Sequence, residues 1–168
     1  TIGVSGDVTG AVTQTGVINT GTLTGNTGST VTLGGNNTIA NLGAFTSVGG
    51  LTIKDTAGGL NVTGTVSDST GAVSLTTAGG ALALASNNVS GVGVSLTGQG
   101  VTSTGGTVNA GTGTITVVGS DGTKGAINLA GALTTTNATA TAVTVQNATT
   151  VALGNVTTGG AGTTTIGV

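Results

Sequence analysis

Residues 51–75, LTIKDTAGGLNVTGTVSDSTGAVSL, begin and end on one three-residue word: Leu51-Thr52-Ile53 and Val73-Ser74-Leu75, apolar, hydroxyl, apolar. Between the two copies stand another alternating triplet, Leu60-Asn61-Val62, then Val66, with Gly58-Gly59 as punctuation. The word recurs at Val31-Thr32-Leu33, Val94-Ser95-Leu96, Ile115-Thr116-Val117 and Val143-Thr144-Val145, with partial copies at Val12-Thr13-Gln14 and Thr164-Thr165-Ile166. Successive starts lie 19, 20, 22, 21, 21, 28 and 21 residues apart. A sustained period of this size is the signature of a parallel β-solenoid, in which each repeat is one coil.

Strand side chains alternate between two faces, so the first and third residues of each word point one way and the hydroxyl the other. Stacked coils bring equivalent residues about 4.8 Å apart. Val31, Leu51, Val73, Val94, Ile115 and Val143 are therefore expected to form one apolar column inside a rod. Thr32, Thr52, Ser74, Ser95, Thr116 and Thr144 are expected to form a hydroxyl column outside it. A second strand per coil is expected at Leu60-Asn61-Val62, Leu82-Ala83-Leu84, Ile127-Asn128-Leu129 and Val151-Ala152-Leu153, some 8 to 12 residues after each word. Val66, Val89, Val108, Leu133 and Val156 suggest a third. The expected fold is all-β: a right-handed parallel β-helix of three walls, about eight coils of 19–22 residues with one longer coil, and roughly 40 Å long.

Composition agrees with a narrow core. Charged residues are 4%, Phe45 is the sole aromatic, and Pro, Cys, Met, His, Arg and Glu are absent. Proline would delete a ladder bond to the next coil, and like charges stacked on adjacent coils repel, so both depletions follow from the fold. Leu, Ile, Val and Phe make up about a quarter of the chain, above the level at which disorder is favoured. Corners are expected at Gly49-Gly50, Gly58-Gly59, Gly79-Gly80 and Gly105-Gly106, with Asn36, Asn37, Asn87 and Asn88 also taking left-handed backbone.

Ile2, Val4, Ile166 and Val168 continue the alternation to both termini without a polar or helical cover. Exposed strand edges recruit other chains. Residues 1–168 are accordingly expected to be one uncapped solenoid segment, either an internal piece of a longer solenoid or a unit that stacks end to end. The 28-residue step after Ile115 implies about seven surplus residues, assigned to the polar stretch Gly119–Gly125; within it Ser120, Asp121 and Lys124 form a candidate recognition loop.

The stretch Asn36–Thr77 resembles the repeats of filamentous-haemagglutinin-like giant exoproteins of Gram-negative bacteria. The resemblance rests on Asn37-Thr38-Ile39-Ala40, Leu42-Gly43, Phe45, Leu51-Thr52-Ile53 and Leu60-Asn61-Val62-Thr63-Gly64-Thr65-Val66. It implies a secreted, extracellular β-helical shaft serving in an adhesin, a surface filament or a biofilm. The function expected is structural, with end-to-end self-association and a cell-surface or carbohydrate receptor as partners.

Other chemistries find little material. Two Lys, no Arg and a net charge of −2 leave no basic surface for nucleic acid, and no apolar run reaches the ~18 residues of a membrane span. The charged inventory is Asp7, Lys54, Asp55, Asp68, Asp121 and Lys124. Polysaccharide-cleaving sites need clustered carboxylates, and Asp55 and Asp68 are expected at different corners of one coil, so no catalytic residue is assigned. No Gly-Gly-x-Gly-x-Asp repeat marks a calcium solenoid, and neither metal nor cofactor is expected.

The alternative is a binding wall, for ice or carbohydrate. Thr-x-Thr pairs occur at Thr22/Thr24, Thr63/Thr65, Thr102/Thr104, Thr114/Thr116, Thr139/Thr141 and Thr163/Thr165, but at different offsets from each coil's word. Asn-x-Ser/Thr sequons at Asn36, Asn61, Asn88, Asn137, Asn147 and Asn155 are common in so Asn- and Thr-rich a chain and are assigned no role.

Overall fold

Each three-residue word forms a strand, and each strand pairs in parallel with the word before and the word after it. In the computed structural model, which describes residues 1–5 and 7–167, no helix occurs among the described residues. The first wall stacks Val12–Thr13, the start of Val31–Ser47, Leu51–Asp55, Val73–Thr77, Val94–Thr97, Ile115–Val118, Val143–Gln146 and Thr164–Gly167. Val12, Val31, Leu51, Val73, Val94, Ile115, Val143 and Thr164 are in register throughout. Eight words bound seven turns, so the rod rises about 34 Å rather than the 40 Å expected from eight. Val168 lies outside the described residues.

The second wall is Leu60, Leu82, Val101, Ile127 and Val151 in register, extended towards the amino terminus by Leu23, Leu42 and Val62. The third is Gly25, Phe45, Val66, Val89, Val108, Leu133 and Val156, with Ile2 bridged to Gly25. All five strands expected for the third wall are present. Within the span of the four strands expected for the second wall, one more stands that the spacing did not predict, Val101–Ser103, which follows Val94 by only seven residues. Ser103 also faces inward there, opposite Leu129. A polar residue at an inward position and a short lead hide this strand.

The columns are dry. Val31, Leu51, Val73, Val94, Ile115 and Val143 are all buried, as are Leu33, Ile53, Leu75, Leu96, Val117 and Val145 beside them. Each such side chain contributes about 1.5–3 kcal/mol by leaving water. The single aromatic needs extra room, which the preceding coil supplies. Phe45 is fully buried against Gly25, where a Cβ would overlap its ring. At the far end the first wall changes character: Thr164 takes the place of the inward valine, and Thr164–Gly167 is exposed throughout.

Corners depart from expectation in two respects. Gly80 and Gly105 lack positive φ, whereas Gly49, Gly50, Gly58, Gly59, Gly79 and Gly106 take it, between 72° and 134°, as tight corners demand. Asn36, Asn37, Asn87 and Asn88 do not; the positive-φ non-glycine residues are Ser5, Ala85 and Asn147. Asn37, Asn87 and Asn88 act through side chains instead. Asn87 Nδ2 donates to the carbonyls of Val62 and Leu84, and Asn88 Oδ1 accepts the Thr107 amide at 2.9 Å.

The surplus of the long coil is divided rather than lodged in one bulge. Ile115 to Ile127 takes 12 residues where Val94 to Val101 takes 7, and Leu133 to Val143 takes 10 where Val108 to Ile115 takes 7. Besides Gly119–Gly125, the corner between Thr134 and Val143 therefore carries part of it.

Candidate functional site

Three features stand apart from the apolar columns: the outer face of the first wall, the 119–125 loop, and two corners built on buried carboxylates. On the outer face, Thr13, Thr32, Thr52, Ser74, Ser95, Thr116, Thr144 and Thr165 stack in register, a single file of eight hydroxyls. The neighbouring outward file reads Lys54, Thr76, Thr97, Val118 and Gln146, so a double hydroxyl file spans only the two coils of Ser74/Thr76 and Ser95/Thr97. The Thr-x-Thr pairs scatter as their offsets foretold. Thr22 and Thr102 belong to the second wall, where Asn41, Asn61, Ala83 and Asn128 share their file.

The loop that contains Ser120, Asp121 and Lys124 closes as a small hairpin. Ser120 and Lys124 form an antiparallel bridge, and the Gly125 amide donates to the Gly119 carbonyl at 2.8 Å. Its tip turns back along the rod. Asp121 Oδ2 accepts the Gly79 amide at 2.6 Å, two coils away, and Gln99 Nε2 at 3.2 Å, one coil away. The Gly79 amide is the main cause holding the Asp121 carboxyl below its ordinary value; burial opposes it, and Thr123 and Gln99 assist it. Asp121 is thus engaged by the rod itself, while Thr123 and Lys124 are exposed.

Asp55 and Asp68 lie on different walls of one coil, as expected, at the ends of Leu51–Asp55 and Val66–Asp68, but both face inward. Asp55 is fully buried after Leu51 and Ile53; its Oδ1 accepts the Ile39 amide at 2.8 Å and its Oδ2 the Thr77 hydroxyl at 3.0 Å. Asn37 stacks on it in register, and there donates to the Leu33 and Lys54 carbonyls while pairing with the Gln14 amide. Asp68 is buried after Val66. It accepts five bonds: from the Ser47 hydroxyl at 2.6 Å and from the amides of Gly49, Gly50, Thr70 and Gly71 at 2.5–3.1 Å. Burial would raise its pKa, but Ser47 and the amides of Gly71, Gly50 and Thr70 outweigh that and lower it.

These carboxylates are occupied as corner acceptors, and among the described residues no three of His, Cys, Asp or Glu gather as a metal site. Asn36, Asn61, Asn88, Asn147 and Asn155 of the sequons are exposed, while Asn137 is half-buried and bonded to the Thr112 carbonyl and to Thr139. The inward polar corners were missed from sequence, although the alternation Val66-Ser67-Asp68 carried the signal. The fold defines the class: a parallel β-solenoid repeat protein. No family model, curated protein or solved structure matches the chain.

Proposed function

We propose that this chain is structural: a stretch of β-solenoid shaft in a secreted bacterial adhesin or surface filament, where it spaces a tip from the cell or polymerises along its axis. The observation that carries the reading is the apolar column in register from Val12 to Val143, which commits nearly the whole chain to axial stacking. The resemblance of Asn36–Thr77 to filamentous-haemagglutinin-like repeats supplies the extracellular setting. Backbone ladders along the axis share load over many bonds of about 1 kcal/mol each, and every coil adds its own buried contacts. Contact with a receptor would fall to the exposed Thr123 and Lys124 rather than to the engaged Asp121.

A second reading, a binding wall for ice or carbohydrate, is favoured by the file of eight hydroxyls alone. Its weakness is the neighbouring file, which Lys54, Val118 and Gln146 interrupt.

Small-angle scattering combined with electron microscopy across a concentration series tests the structural reading. The expected result is an elongated particle, either as short rods at every concentration for a shaft or as lengthening fibres for a polymer. An isotropic particle that never elongates, or thermal hysteresis of freezing in the purified protein, would overturn it.

A further inference from the structure

The geometry points to the Asp68 corner of coil 51–72 as an acid-responsive joint: protonating that buried carboxylate weakens the bonds that tie the corner to coil 31–50, and the solenoid opens there first. Asp55 and Asp68 are the only buried charged side chains among the described residues, and they lie on different walls of this one coil. Each reaches a neighbouring coil. Asp55 holds Ile39 of the coil before and Thr77 of the coil after. Asp68 holds Ser47, Gly49 and Gly50 of the coil before, and closes its own corner through Thr70 and Gly71.

Around Asp68 the packed elements present only the Ser47 hydroxyl and backbone amides; the bonds to Asp55 come from the Ile39 amide and the Thr77 hydroxyl. None of these titrates. Lys54, the chain neighbour of Asp55, is on the outward file, and Asp121 enters the same corner one coil further along through Gly79. A proton taken from water by Asp68 can be shared only with the Ser47 hydroxyl, which must turn from donor to acceptor. The amides of Gly49, Gly50, Thr70 and Gly71 cannot turn, and their bonds lose the strength that the carboxylate charge gave them.

The sign follows from Asp68. Its folded pKa is depressed, because Ser47 and the amides of Gly71, Gly50 and Thr70 outweigh burial. The stability it contributes is complete above the ordinary aspartate value of about 3.9 and is lost as pH falls through the lower folded value. Coils from Ile115 onward contain Asp121 as their only carboxyl side chain, on the surface hairpin, so their walls lack this liability.

Amide hydrogen exchange on the full chain, corrected for intrinsic rates, is compared at pH 7 and about pH 2.5. Protection over residues 47–50 and 68–71 should fall at least tenfold in acid while that over 115–118 and 143–146 is retained. Loss spread evenly along the chain, or no loss, overturns the joint. The milder variant S47A removes one donor and keeps the Asp68 carboxylate, and should move the acid midpoint of the local loss to higher pH. A folded S47A variant with an unmoved midpoint would equally defeat the proposal, which holds or fails independently of whether the rod belongs to a fibre.

Discussion

Val94 and Ser95 are chain neighbours with opposite tasks, and the pair shows how far single residues decide this molecule. Val94 is 3% exposed between Val73 and Ile115, whereas Ser95 lies on the outer file between Ser74 and Thr116. A carboxylate at the first position is unpaired and desolvated; at the second it faces water. Val94→Asp should therefore cost more than about 3 kcal/mol, whereas Ser95→Asp should stay within about 0.5 kcal/mol, as read from urea unfolding of both variants. Equal effects would place Val94 outside the core. At this scale the sequence was legible wherever an apolar residue marked the inward position. It was opaque at Asp55, Asp68 and Ser103, because period two puts them inside while their polarity argues for outside, and only the donors of adjacent coils resolve the conflict.

At the scale of elements, walls were readable and corners were not. A wall strand is fixed by its own alternation, which the chain displays locally. A corner is fixed by bonds from one coil to the next, such as Asn88 to the Thr107 amide, which no local pattern announces. Close approach also enters: a Cβ at Gly80 would overlap Gly59 of the preceding coil, so that glycine is set by spacing rather than by its own φ. The 119–125 hairpin belongs to the same class. Its composition marked it as a surface excursion, but its contact with Gly79 across 42 residues did not show in sequence. Asp121→Ala should leave the folded core intact while exposing the Gly79 amide, whose exchange protection should drop at least several-fold. Undiminished protection would mean that the hairpin does not clasp the earlier coils.

For the whole molecule, the consequence of in-register stacking is that distance along the rod counts coils and not residues. The 28-residue coil advances the axis as much as its 21-residue neighbours, because its surplus leaves the walls at two corners and returns to the same register. Cooperativity should likewise be local, each coil leaning on the next, which is why one coil with two buried carboxylates can matter to the rest. The most direct test measures electron–electron distances between spin labels on the outer file, one at Thr13 and the other at Ser95, Thr116 or Thr144. Four, five and six coil steps predict separations of about 19, 24 and 29 Å between the labelled backbone positions, rising by about 4.8 Å per coil. Separations that follow residue number instead, or that show no steady increment, would contradict the stacked column on which the fold and the proposed function both depend.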